Sequence, residues 1–128
     1  MGKIAATLAD EVIVTMDNPR NEPPEQIAAQ IVEGVKSSGR DVRLRTILDR
    51  KAAVYSAMDS AERGDVVVIS VKGPENTLAI GSLSIDYSDS HAASTWRTSR
   101  KMARCERWRT GWQSASARSA PSCGMCAR

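Results

Sequence analysis

The stretch that decides the fold is Val12-Ile13-Val14-Thr15-Met16-Asp17-Asn18-Pro19-Arg20. It begins with a short apolar run rich in β-branched residues, which is typical of a buried strand. The run ends in a charged turn, and a helical pattern follows within a few residues. Because open α/β sheets bind ligands outside the carboxyl ends of their strands, this turn is the first candidate binding position.

Helix and strand patterns alternate along the chain around this stretch. The helices are predicted at residues 2–10, 21–38 and 49–63, and the strands at residues 11–15, 42–48 and 66–71. Such alternation predicts an α/β fold with parallel strands and right-handed crossovers. The continuous apolar run at 66–71 is expected of a strand covered on both faces. A hairpin over 78–85, broken at Gly81-Ser82, and a helix from about Ser90 complete the pattern.

Two loops are predicted to open toward one rim of this sheet. The first is the turn with Asp17, Asn18 and Arg20, and the second is Lys72-Gly73-Pro74-Glu75 after the third strand. The guanidinium of Arg20 could hold a carboxylate in bidentate fashion. With Glu75 opposite it, the pair would suit a zwitterionic amino acid. The simpler alternatives are an ordinary strand-to-helix turn and a solvated loop.

Charge and cysteine divide the chain near Trp96. Residues 1–96 hold 10 basic and 14 acidic side chains, whereas residues 97–128 hold 8 and 1. The cysteines all lie in the second part, at Cys105, Cys123 and Cys126.

An odd number of cysteines and the lack of an 18-residue apolar run or a signal-peptide pattern predict a cytoplasmic protein. Neither the lone CxxC nor the single histidine, His91, predicts a metal site.

Several motifs occur in the order and spacing of the Mur ligases. They are residues 1–6, Ala9-Asp10 with 12–15, 17–20, 47–50, 64–69, Lys72-Gly73 with Glu75, and 87–89. Over about residues 1–95 the chain resembles the carboxyl-terminal domain of the diaminopimelate-adding members. The resemblance implies a Rossmann-like domain, a mostly parallel sheet flanked by helices. The resemblance also leads us to expect that the first strand and helix of that domain are missing from this sequence.

The resemblance also implies a role in peptidoglycan synthesis. Mur ligases use ATP and magnesium to form an acyl phosphate, which the amine of an incoming amino acid attacks. The Asp-Asn-Pro-Arg motif marks enzymes that select meso-diaminopimelate. By this resemblance Asp17, Asn18 and Arg20 contact the amino acid, Glu75 contacts its distal ammonium, and Lys72 and Gly73 are possible loop contacts.

The sequence departs from the family in its loop, its tail and its extent. The family loop reads Gly-Lys-Gly-His-Glu, so Val71 and Pro74 replace a glycine and a histidine. After Ser90-His91 a basic tail with arginine, serine, tryptophan and cysteine begins, and residues 96–128 are predicted to be irregular or disordered. The sequence contains no GxxxxGK[ST] phosphate loop. The chain alone is therefore predicted to bind no cofactor, to hold no catalytic residue, and to need the central and amino-terminal ligase domains as partners.

Two alternatives remain open at this point. One is a nucleic-acid or acidic-surface binder that acts through the basic tail, with Trp108 and Trp112 stacking on bases. The other is an α/β interaction module that has kept the fold without the ligand. Stability distinguishes this module from the truncated ligase domain, because a missing first strand would leave an open sheet edge and predicts a marginal monomer or an associated species.

Overall fold

The computed structural model describes residues 1–19 and 21–113, with side chains described up to Arg100 and at Met102. Two compact units are present, Met1–Trp96 and Arg97–Arg128. All of the candidate site residues lie in the first unit. Within the described residues, no helix is both long and apolar enough to cross a membrane.

The first half of the chain forms two strands and two helices in the predicted order. They are α1 (Gly2–Leu8), β1 (Glu11–Val14), α2 (Pro24–Lys36) and β2 (Arg43–Thr46). The two strands pair in parallel, with Val12 opposite Leu44 and Val14 opposite Thr46. Pro24 begins α2 and Glu25 lies in its first turn, positions where a missing N–H and a negative charge are both favourable.

Helices α1 and α2 approach each other through glycine. A Cβ added to Gly2 would lie 2.2 Å from the carbonyl oxygen of Ile31, so only glycine allows this separation. Gly2 and Ala6 are therefore the buried residues of α1, while Ile4 and Leu8 remain exposed. The buried apolar core is correspondingly built from small side chains without aromatics. It consists of Ala6, Val14, Ala28, Val35, Ala53, Val54, Leu78 and Ala92.

The predicted third parallel strand is wrong for this structure. Residues 66–71 follow α3 (Arg50–Ser60) but belong to no strand, and among the described residues the parallel sheet has only two strands. Val66 and Val68 are 84% and 81% exposed, so the run is not covered on both faces. Its apolar composition has the pattern of a buried strand, but the described residues supply neither a hydrogen-bonded neighbour nor a covering layer.

A hairpin and a long helix complete the described chain. The hairpin pairs β3 (Thr77–Ile80) with β4 (Leu83–Asp86) in antiparallel fashion, as predicted. Its turn docks on the first loop, because the backbone N–H of Gly81 donates to the carbonyl of Pro19 at 3.0 Å. Helix α4 (Asp89–Gln113) continues through residues where the sequence predicted an irregular tail. The rest of that tail, residues 114–128, lies outside the described residues.

Candidate functional site

Asn18 joins the two loops that the sequence predicts at one rim. Its backbone is left-handed, with φ of 43°, a conformation that asparagine tolerates better than most residues. Its Oδ1 accepts from the backbone N–H of Ala79 at 2.9 Å and from Lys72 Nζ at 3.3 Å. Its Nδ2 donates to Glu75 Oε2 at 3.2 Å. The two predicted loops therefore meet, although they are separated by more than fifty residues in sequence.

Lys72 lies at the centre of this cluster, with its side chain fully buried. Its ammonium is 3.5 Å from Asp17 Oδ1 and 3.5 Å from Glu75 Oε2. Two carboxylates therefore surround one ammonium, and the described side chains at the rim carry one excess negative charge. Such a surplus favours a further cationic group, for example the ammonium of an amino acid.

Glu75 is the member of the cluster that faces solvent, with a side chain 55% exposed. A short turn brings it back over Lys72, since the N–H of Glu75 donates to the Lys72 carbonyl at 3.3 Å. Gly73 makes this turn possible with φ of 54°, where a side chain would add strain. Glu75 is thus accessible to a ligand, whereas Lys72 is not.

The predicted Arg20 lies outside the described residues, so its distance to Glu75 is not defined. Pro19 before it is buried and bonded to the hairpin, which fixes the turn up to that point. The replacement of the family glycine by Val71 has a visible consequence. Val71 adopts φ of 86°, a left-handed conformation that is unfavourable for a β-branched residue.

A buried ion pair beneath the rim was not predicted as part of the site. Arg50 is 3% exposed, and its Nε and Nη2 donate to Asp89 Oδ1 and Oδ2 at 2.9 and 2.7 Å. The same guanidinium donates to the carbonyl of Met16 at 3.2 Å and to that of Ser70 at 3.1 Å. Asp89, at the start of α4, therefore binds Arg50.

Three groups at the buried ion pair have shifted pKa values. Burial alone would lower the pKa of Arg50, but the hydrogen bonds and charge of Asp89 raise it overall. Burial alone would raise the pKa of Asp89, but its hydrogen bonds with Arg50 and the charge of that residue lower it. Burial, followed by the neighbouring Asp89, raises the pKa of Tyr87. Both members of the pair are therefore charged at neutral pH.

The rim does not fit a nucleotide. Its loop lysine, Lys72, is buried against carboxylates and cannot extend toward phosphates, and the sequence has no phosphate-loop motif. Among the residues that the structure describes, no three histidine, cysteine, aspartate or glutamate side chains are grouped to hold a metal ion. The described rim therefore presents carboxylates suited to an ammonium, and its loop lysine is not placed to bind a phosphate.

The other candidate positions are separate from this cluster. His91 is exposed on α4. An apolar groove of about 250 Å³ lies between α2 and the end of β2, and none of the predicted ligand contacts lines it. The side chains of Cys105, Trp108 and Trp112 lie outside the described residues, as do Cys123 and Cys126 entirely. The tail alternative therefore stays a prediction.

Known proteins resemble this chain over its first three quarters. Residues 1–73 match the family described as "Mur ligase, glutamate ligase domain". A UDP-N-acetylmuramoyl-L-alanyl-D-glutamate–2,6-diaminopimelate ligase of Synechococcus elongatus is 44% identical over 93 residues, which are 73% of this chain and 18% of the relative. The ligase of the same name from Nitrosomonas europaea is 43% identical over 89 residues, 70% of this chain and 16% of the relative. The chain thus spans less than a fifth of the length of these relatives.

Proposed function

Because the chain belongs to the Mur ligase family through its glutamate ligase domain, we propose that it is the amino-acid-binding part of a diaminopimelate-adding ligase of peptidoglycan synthesis. The observation that supports this role is the meeting of Asn18, Lys72 and Glu75 at one rim. In this proposal Asp17, Asn18 and Arg20 contact meso-diaminopimelate, and Glu75 binds its distal ammonium. Lys72 and Gly73 shape the loop that carries Glu75.

The surplus of negative charge among Asp17, Lys72 and Glu75, the described charged side chains of the cluster, supports the choice of an ammonium-bearing ligand. Asp17 Oδ1 is a buried atom, 3.5 Å from Lys72 Nζ, while the carboxylate of Glu75 is accessible from solvent. An incoming ammonium can therefore reach Glu75 without displacing Lys72. The carboxylate of the ligand needs a cation, and Arg20 is the proposed donor because its motif is the one that marks diaminopimelate selection.

The complete ligation is proposed to require more than this chain. In the full-length ligase, ATP and magnesium would generate an acyl phosphate on UDP-MurNAc-L-Ala-D-Glu, and the bound amine would attack it. The burial of the loop lysine against carboxylates and the lack of a phosphate-loop motif in this sequence support the proposal that the chain alone is inactive and needs the central and amino-terminal ligase domains. The proposed location is the cytoplasm, where these substrates would be used.

We further propose that the complete sheet of this domain contains a strand beside β1 that the described residues do not supply. The exposure of Val66 and Val68 supports this view, because an apolar run of this kind is typical of a strand inside a larger sheet. The edge of β1 opposite β2 is also unpaired within the described residues. A strand inserted there would hydrogen-bond to the free edge of β1.

Chemical-shift mapping tests the ligand assignment. The full ¹⁵N-labelled chain is titrated with meso-diaminopimelate, alongside the variants Glu75→Gln and Glu62→Gln; Glu62 is an exposed glutamate outside the rim. We expect shifts at Asn18, Gly73 and Glu75 in the wild type, unchanged binding for Glu62→Gln, and binding weakened by about tenfold or more for Glu75→Gln. Equal binding by both variants, or no shifts at the rim, would contradict the proposal.

A further inference from the structure

Arg50 contacts the backbone of both loops that carry the proposed ligand contacts. Its Nη1 donates to the carbonyl of Met16, the residue directly before Asp17. Its Nη2 donates to the carbonyl of Ser70, two residues before Lys72. These two nitrogens belong to one planar guanidinium, so the separation of the two carbonyls is set by covalent geometry. One side chain thus fixes the spacing of both loops.

Asp89 fixes the orientation of that guanidinium. It accepts two hydrogen bonds from Arg50, at 2.9 and 2.7 Å, in the side-by-side geometry that aligns the two planar groups. Asp89 stands in the first turn of α4, within the first unit, so it anchors Arg50 to that turn. Both side chains are buried, which leaves few alternative positions for either.

The contacts at the rim depend on this spacing. Asn18 reaches Glu75 at 3.2 Å only while the two loops keep their present separation. The same side chain accepts from Ala79 of β3 at 2.9 Å, so a shift of Asn18 lengthens both contacts. A displacement of 1 Å would lengthen such bonds beyond useful range. A loop such as 70–75, which carries a strained residue at Val71, needs an external restraint to remain in one conformation.

We infer that Arg50 is a positioning residue for the amino-acid site, oriented by Asp89, and that it acts by fixing the distance between the Asp17–Asn18 turn and the Lys72–Glu75 loop. This inference rests on the proposed function for its ligand, but the positioning itself is a property of the free chain. Arg50 does not touch the ligand. Its role is to hold Asn18 and Glu75 where both can contact one amino acid.

Arg50→Lys is the direct test. Lysine keeps the charge and can pair with Asp89, but a single ammonium cannot bond to both carbonyls and a carboxylate in the geometry of a planar fork. The matched control is Arg45→Lys, because Arg45 also bonds to other side chains, at Ser56 and Ser60, but belongs to β2 away from the rim. Asp89→Glu is the second variant, which keeps the carboxylate but moves it by about one methylene.

Two measurements are made on the full chain. The first is the Kd for meso-diaminopimelate, and the second is the hydrogen-exchange rate of the Ala79 amide, which bonds to Asn18 in the absence of ligand. In Arg50→Lys and Asp89→Glu we expect the Ala79 amide hydrogen to exchange about tenfold faster and the Kd to rise about tenfold. In Arg45→Lys we expect the exchange rate and the Kd to equal those of the wild type.

The outcomes distinguish the ligand assignment from the positioning role of Arg50. If the wild type binds no meso-diaminopimelate but Ala79 exchange rises only in the Arg50 and Asp89 variants, the ligand assignment fails and the positioning role stands. If the folded Arg50 and Asp89 variants exchange Ala79 at the wild-type rate, the positioning inference is overturned. Should Arg50→Lys fail to fold, Asp89→Glu decides the outcome by the same criterion.

Discussion

Asp89→Asn should be among the most destabilising conservative substitutions in the described chain. The change removes a carboxylate that accepts two charge-assisted hydrogen bonds from Arg50, and leaves the buried guanidinium without its counter-charge. Hydrogen bonds to charged groups contribute about 1.5–3 kcal/mol each, and breaking a buried ion pair from one side costs about 3–5 kcal/mol. We therefore expect a loss of about 3–5 kcal/mol in the free energy of unfolding.

Urea denaturation followed by circular dichroism at pH 7 measures this loss. With a slope of about 1–3 kcal/mol per molar urea, the midpoint should fall by about 2 M. Asp41→Asn is the control, because Asp41 is exposed and its substitution should change stability by less than about 0.5 kcal/mol. The double variant Arg50→Met with Asp89→Leu should recover part of the loss, since no unpaired charge remains. A midpoint for Asp89→Asn within error of Asp41→Asn would refute the reasoning.

Three further predictions concern pH and the two unusual backbone positions. Folding lowers the pKa of Asp89, so the stability that its carboxylate contributes is present above the unfolded value of 3.8 and is lost as pH falls through the folded pKa. The urea midpoint of the wild type should therefore fall more steeply below pH 4 than the midpoint of Asp89→Asn. Parallel curves for the two proteins would contradict this. Gly2→Ala places a Cβ 2.2 Å from the Ile31 carbonyl oxygen and should lower the free energy of unfolding by about 1–3 kcal/mol. In the control Gly34→Ala the nearest atom lies at 3.4 Å, and helix propensity should make this change neutral or stabilising by up to about 1 kcal/mol. Equal melting temperatures for the two variants would show that α1 does not pack this closely. Val71→Gly should be more stable than Val71→Ala by about 1 kcal/mol, because only glycine adopts the φ of 86° without steric strain. Thermal melts in which the alanine variant is the more stable would exclude strain at this position.

The first half of the fold and the hairpin could be predicted because their signals are local. The β-branched run before Asp17 predicted β1, the strand pattern at 42–48 predicted β2, and Gly81-Ser82 marked the hairpin turn. The prediction for residues 66–71 was wrong because an apolar run reports what a segment would bury, not whether a neighbouring strand is there to cover it.

Part of the candidate site could likewise be predicted from the sequence, and part could not. Asn18 and Glu75 were predicted at one rim because the ends of alternating strands meet there, and the structure brings them within 3.2 Å. The pairing of Arg50 with Asp89 spans 39 residues, and each stands at the start of a helix, where a charge usually faces solvent. Local patterns carry no information on such a contact. The signal available in the sequence was the occurrence of both residues within motifs of the resemblance.

The most direct test of the amino-acid-binding role is a comparison of two ligands by calorimetry on the full chain. meso-Diaminopimelate and L-lysine both carry a distal ammonium, but only the first has a distal carboxylate. The proposed site predicts that the wild type binds meso-diaminopimelate at least about tenfold more tightly than lysine, and that Arg20→Ala abolishes this difference. Equal affinity of the wild type for both ligands, or an unchanged preference in Arg20→Ala, would contradict the account.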